Sequence, residues 1–124
     1  YINFQQKAES VKNELMAFLV EKKKQGKSVV GYGAAAKGNT LLNYAGVKTN
    51  LLPFVCDAAP SKQGHYLPGS RIPILSPKYI TLKKPDYILI LPWNLKKELI
   101  DQLSYVKNWG GKLVLPIPSL KIIN

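Results

Sequence analysis

The sequence predicts an α/β fold: a Rossmann-like, mostly parallel sheet of about five strands flanked by helices, with an N-terminal helix packed on it. Three observations carry this reading. Short β-rich apolar runs alternate with helical patterns along the chain, the order that crossover connections between parallel strands require. The first of those runs leads into Gly31-Tyr32-Gly33-Ala34-Ala35-Ala36, a G-x-G-x-x-A turn between a strand and a helix. A length of 124 residues with 46% hydrophobic content fits one domain, residues 1–124, with a core of its own.

The elements follow in order. Phe4, Ala8, Val11, Leu15, Phe18, Leu19 and Lys22 recur at steps of three and four, one apolar helical stripe within residues 1–26. That helix ends before Gly26, with Lys22, Lys23 and Lys24 in the last turn, where cations suit the dipole. Residues 27–33 read as a strand entering a tight turn, and residues 34–45 as a helix closed by Gly46. Residues 51–56 read as a buried second strand, and residues 58–71 as a loop long enough to suggest a function. Pro73 confines residues 72–75 to an edge or an end of the sheet. Ser76-Pro77 has the pattern of an N-cap followed by proline at the first helical position. Residues 86–91 form a third strong strand. Asn94 is placed to cap a helix with Leu95, Leu99, Leu103 and Val106 on its apolar side and Gly110 just beyond it, and residues 112–117 are the last strand.

Composition narrows the functional classes. Eighteen basic against 7 acidic residues give a formal charge of +11. Seventeen of the basic residues are Lys and only Arg71 is Arg. Nucleic-acid readers favour the planar Arg fork, so a lysine-rich solvated surface, or attraction to an anionic small molecule or an acidic neighbouring domain, ranks above nucleic acid. No apolar run reaches the ~18 residues that span a bilayer, so no membrane role is expected. A single Cys and a single His rule out an internal disulfide and a four-ligand zinc site within this chain. The first residue is Tyr1 and the opening residues do not resemble a signal peptide, which suggests a piece of a longer protein.

The glycine turn carries the chemistry. Gly31 permits the tight turn, Gly33 lets an anion approach the backbone, and a small residue at 36 lets helix and strand pack closely. The helix N-terminus offers unpaired N–H groups and a positive dipole end to a phosphate, and Lys37 adds a mobile charge beside it. Asp57 follows Gly31 by 26 residues at the end of the second strand, near where such folds place an acid on a ribose hydroxyl. The alternative is a turn that merely closes the backbone. Gly38 costs ~1 kcal/mol inside a helix, so either the helix starts later, capped by Asn39 or Thr40, or Gly38 permits a close approach. His65 and Tyr66 sit in the long loop, where a lone His is suited to acid–base work but is also commonly just solvated. Trp93 and Asn94 follow the third strong strand directly, at a strand end where ligands gather; capping and packing explain them equally. Cys56 reads as a buried strand residue.

Three stretches together resemble a known family: Gly31-Tyr-Gly-Ala-Ala-Ala-Lys-Gly-Asn-Thr-Leu-Leu-Asn43, then Asp57 with Lys62-Gln-Gly-His-Tyr-Leu-Pro-Gly69 and Ile72-Pro-Ile74, then Pro85-Asp-Tyr-Ile-Leu-Ile-Leu-Pro-Trp-Asn94. They are similar to the C-terminal domain of the S-adenosylmethionine-dependent sugar C-methyltransferases, and residues 110–118 fit that family's last strand. The resemblance covers nearly everything after the first helix. It implies a three-part enzyme: an N-terminal zinc-binding domain, a central methyltransferase domain that binds S-adenosylmethionine, and this domain, which helps hold a nucleotide-linked keto-deoxysugar. The family's Tyr-x-Glu-His stretch, linked to catalysis, is expected upstream and does not occur in this sequence. Pro92 departs from the small residue, such as Ala, expected before Trp93-Asn94.

By that resemblance the chain is expected to bind no cofactor itself, to contain no catalytic residue, and to be inactive alone. Its partners are the nucleotide diphosphate sugar and the upstream methyltransferase domain, in the cytoplasm. The expected substrate-binding residues are Gly31, Tyr32, Gly33, Ala34, Lys37, Asn39, Asp57, Lys62, His65, Tyr66, Trp93 and Asn94, with the loop of residues 58–71 closing as a lid on Gly64 and Gly69. A stand-alone nucleotide- or dinucleotide-binding domain, or a structural domain without ligand, remain the alternatives.

Overall fold

A computed structural model describes residues 3–123, with side chains from Gln6 onward. Six strands form one sheet: β1 (Val29–Tyr32), β2 (Val55–Cys56), β3 (Ile74–Leu75), β4 (Tyr87–Ile90), β5 (Lys112–Leu115) and β6 (Lys121–Ile123). Their order is β3-β2-β1-β4-β5-β6; the first five are parallel, and β6 pairs antiparallel with β5. Helices α1 (Asn3–Lys24) and α2 (Ala36–Ala45) cover one face, and α3 (Lys78–Lys83) and α4 (Lys96–Gln102) cover the other.

The strands alternate between two cores, as a pleat of period two demands. Val29, Leu89, Leu91 and Val114 face the α1–α2 side with Val11, Leu15, Phe18 and Leu42. Val30, Tyr32, Ile88, Ile90 and Leu113 face the α3–α4 side with Ile80, Leu99 and Val106. Burial on both faces is why these strands read as unbroken apolar runs. The stripe on α1 packs as expected at Val11, Leu15 and Phe18; the side chain of Phe4 lies outside the described residues. Lys22 lays its ammonium over the rings of Phe18 and Tyr87, at 5.6 and 4.9 Å, a snorkelling arrangement that suits the end of an apolar stripe.

The glycines decide where layers touch. Helix α2 begins at Ala36 after Ala35, without a side-chain cap, and ends on Gly46 in the left-handed conformation at φ 78°. Of the two explanations for Gly38, close approach is the one realised: a Cβ there would lie 2.6 Å from Leu91 Cβ and 3.2 Å from Leu91 O. Ala36, expected to be the small packing residue, is exposed; the helix meets the sheet two residues later.

Several boundaries differ from the sequence reading. The second strand shrinks to two residues, although Phe54 O still accepts from Gly31 N at 3.0 Å. Asn94 does not cap a helix: Trp93–Leu95 form a 3-10 turn, and α4 starts at Lys96 after Leu95. β6 was not anticipated. It is tied back to α1 by Leu120 N–H donating to Glu14 Oε1 at 3.0 Å.

Two outcomes follow from this packing. Gly→Ala inside a helix ordinarily stabilises by ~1 kcal/mol, but Gly38→Ala is expected to destabilise by ~1–3 kcal/mol because Leu91 leaves no room; urea unfolding measures the sign. Cys56 is fully buried, and desolvation, then Asp57, push its thiol up from 9.0 to about 12. Between those values the unfolded thiol ionises while the folded one does not, so alkaline pH favours unfolding. Stability is expected to fall from pH 9 upward, and Cys56→Ala to remove part of that fall in matched denaturation curves.

Candidate functional site

The chain runs β1-β2-β3 toward one edge of the sheet and β4-β5 toward the other, so the order reverses between β1 and β4. Ligands of open α/β sheets bind beyond the strand carboxyl ends at such a switch point. Here that place is bounded by residues 33–39 after β1 and by residues 91–94 after β4.

The glycine turn is shaped largely from within the protein. Gly31 lies in β1, where a Cβ would come within 2.9 Å of Val55 Cγ2. Gly33 has φ 91°, and a Cβ on it would run into the Pro92 ring, 2.6 Å from Cγ. Only glycine meets both demands. Its N–H donates to Cys56 O at 2.7 Å, so the turn is fastened to the end of β2.

Asp57 completes that fastening. Its Oδ2 accepts from Ala34 N–H at 2.7 Å and its Oδ1 from Ala59 N–H at 2.8 Å. Lys62 reaches back from the loop to donate to Ala34 O at 3.1 Å, with its Nζ 4.0 Å from Asp57 Oδ2. Gln63 Nε2 donates to Asp57 O at 2.8 Å. Gln63 was not singled out from sequence, and a lone loop Gln carries no signal that would have done so.

Beyond the turn, Asn39 N–H makes the first helical bond, to Ala35 O at 2.9 Å, leaving the N–H groups of Ala36 and Lys37 without intrahelical partners. Lys37 is exposed beside them. The Asn39 side-chain oxygen is buried without a hydrogen-bond partner among the described residues, a state that costs ~1–3 kcal/mol. Trp93 is half-buried against both cores, and Asn94 is exposed at the crevice rim.

The remaining expected residues stand elsewhere. Tyr32 is only 8% exposed, its ring in the α3–α4 core; burial, then Asp57 and Cys56, raise its hydroxyl pKa. The loop of residues 58–71 folds down the outer edge of β3: Gly64 N–H donates to Ile74 O and Ile74 N–H to His65 O, both at 2.9 Å, and Tyr66 bridges Pro73. The register puts Tyr66 level with the start of β3 and three strand spacings from β1, roughly 14 Å. It is 57% exposed, with the Arg71 guanidinium 5.6 Å from its ring. Leu67 is buried, and Asn43 Nδ2 donates to Pro68 O at 3.0 Å, with Asn43 filling the space beside Gly69. The loop is therefore pinned along its length, and Gly69 is a packing position rather than a hinge. Of the loop side chains expected at the crevice, Lys62 reaches the glycine turn, whereas Tyr66 does not.

An apolar hollow of about 320 Å³, lined by Ala8, Val11, Leu41, Tyr44, Ile117 and Pro118 with Lys7 at its side, lies between α1 and α2. It is separate from the crevice and offers little acid–base chemistry. No helix among the described residues is long and apolar enough to cross a membrane.

Comparison with known proteins bears on this arrangement. A C-methyltransferase of Streptomyces niveus, NovU, is 43% identical over 99 residues, which are 80% of this chain but only 24% of that protein. The chain thus spans about a quarter of that relative's length. Among solved structures, the UDP-D-quinovosamine 4-dehydrogenase of Vibrio fischeri superposes with a TM-score of 0.54 at 22% identity, covering 79% of this chain and 93% of the other; this likeness concerns the Rossmann-type fold alone. The profile of the C-methyltransferase C-terminal domain matches residues 1–118, so the chain belongs to the C-methyltransferase C-terminal domain family.

Proposed function

We propose that this domain holds a nucleotide-linked keto-deoxysugar at the carboxyl edge of its sheet and presents it to a methyl-transfer centre on a separate domain. The observation that carries this reading is the convergence of Lys37, Asn39, Lys62, Trp93 and Asn94 around the switch point between β1 and β4, in a chain of this family. A long, flexible Lys is a point charge for a phosphate. The N–H groups of Ala36 and Lys37 add the dipole end of α2. Trp93 offers an apolar ring edge, and Asn94 a donor and an acceptor for sugar hydroxyls.

S-adenosylmethionine, bound by the other domain, supplies the methyl group. Carbon methylation also needs a base to take the proton beside the keto group, and among the described residues neither His65, which lies in the edge hairpin, nor Asp57, which is engaged by two backbone N–H groups, is placed for it. The domain's part is orientation, which fixes the acceptor carbon against the donor. The buried, unpartnered oxygen of Asn39 suits a donor from the ligand or from the neighbouring domain.

The test uses the full-length enzyme with S-adenosylmethionine and a thymidine diphosphate keto sugar. Lys37→Ala and Asn94→Ala are each expected to lower kcat/KM for the sugar about tenfold, the scale of one lost polar contact, with S-adenosylmethionine binding unchanged. The 124-residue chain alone is expected to give no methylated product. Turnover by that chain alone, or wild-type kinetics in both variants, overturns the reading.

A further inference from the structure

The glycine turn has the form of a dinucleotide site, yet its two ligand-facing features are already occupied. In such turns the N–H groups after the second glycine form a nest for an anion, and the missing side chain lets a pyrophosphate lie against the backbone. Here Ala34 N–H is held by the Asp57 carboxylate at 2.7 Å. The space beside Gly33 is filled by the ring of Pro92. One residue comes from the end of β2 and the other from the end of β4, so two independent contacts close the same turn from opposite sides.

We propose that Asp57 and Pro92 are specificity-determining residues that exclude a pyrophosphate from the glycine turn, so that the domain keeps dinucleotide-fold geometry while refusing dinucleotides. Asp57 acts as an internal anion. Its second oxygen is fixed on Ala59 N–H, and Lys62 balances its charge from 4.0 Å, so the carboxylate is held rather than free to swing away. A phosphate brought to Ala34 meets like charge at close range, which raises its energy steeply in a partly desolvated crevice. Pro92 acts by volume. With φ 91° and the proline ring against it, Gly33 is required by the protein's own packing. What Asp57 can still accept, through lone pairs not used by the two N–H groups, is a hydroxyl donor. The inference deepens the sugar reading by directing hydroxyls to Asp57 and phosphates to the Lys37 ammonium and the open N–H groups of Ala36 and Lys37. The exclusion itself does not depend on the sugar's identity.

The experiment follows backbone amide resonances of the 124-residue chain during titration with inorganic pyrophosphate, NAD and a thymidine diphosphate sugar. In the wild type, the Ala34 amide is expected to stay unmoved by pyrophosphate and NAD up to millimolar concentration. The double variant Asp57→Ser, Pro92→Ala is expected to bind pyrophosphate and NAD at least tenfold tighter, with Ala34 among the most shifted amides. Asp57→Asn, which keeps size and one acceptor but loses the charge, serves if the double variant does not fold, and is expected to show a smaller gain of the same kind. Micromolar NAD binding through Ala34 in the wild type overturns the proposal. So does a folded variant, the double one or Asp57→Asn where that alone folds, with no gain. Failure of the thymidine diphosphate sugar to bind counts against the sugar reading and leaves the exclusion standing, so the two are told apart.

Discussion

The close approach of β1, β4 and α2 is the constraint on which the rest depends. Three glycines within eight residues each have the place of their missing Cβ filled: Gly31 by Val55, Gly33 by Pro92 and Gly38 by Leu91. β1 sits between β2 and β4 with side chains buried on both faces, so nothing there can shift without disturbing two cores. Both Leu91 and Pro92 belong to the segment leaving β4, so the contact that seats α2 on the sheet also sets the width of the crevice. The seating of α2 and the shape of the crevice are therefore determined by the same few atoms, and a change at Leu91 or Pro92 reaches both.

Asp57 extends that constraint across β2. Its carboxylate ties β2 to the turn after β1 and to its own following loop, and Lys62 and Gln63 draw the loop back over it. The loop then continues as a hairpin along β3, anchored by Leu67 and by Asn43 on α2. This covers a sheet edge whose strand is only two residues long, and β6 covers the other side by pairing with β5. Both edges are thus handled by antiparallel additions to a parallel centre, a common way of blunting exposed strand edges.

What was legible in the sequence follows from how local each determinant is. Strands β1, β4 and β5 were readable because burial on both faces leaves continuous apolar runs, and α1 because an apolar stripe recurs at steps of three and four along a 22-residue helix. Helix ends at Gly26 and Gly46 were readable because a left-handed residue has a simple chemical preference, whereas α4 stops at Gln102 and Gly110 closes a separate 3-10 segment, Ser104–Trp109. The hairpin at residues 63–73 and β6 were not, because their partners are other strands and their own composition is turn-like or too short. Around the glycine turn, the turn itself and the nearness of Lys62 and Asp57 to it were legible by type and position. Their mutual contacts were not, since a G-x-G-x-x-A pattern specifies a backbone shape and is silent on what fills it. Tyr66 was placed at the crevice because it follows a strand's carboxyl end in sequence, but the loop carries it back along the edge before it stops.

The basic charge shows the same dependence on three dimensions. Helices of a parallel α/β domain all end at the amino edge of the sheet, where their carbonyl ends are negative. Lys22, Lys23 and Lys24 finish α1 there, and Lys83 finishes α3. Lys23 donates to Asn50 O at 2.8 Å, while Lys22 lies over two rings. Such lysines answer local structural needs at the end of the sheet opposite the crevice. The charges that bear on a ligand are the few at the carboxyl edge, and there Lys62 is already opposed by Asp57. Lys37 stands exposed beside the open N–H groups of α2, and Lys96 and Lys97 open α4 at the same edge. A net charge of +11 thus says less about an anionic ligand than the positions of those few lysines, because attraction at a site is set by the charges within about a Debye length of it, roughly 8 Å at physiological ionic strength.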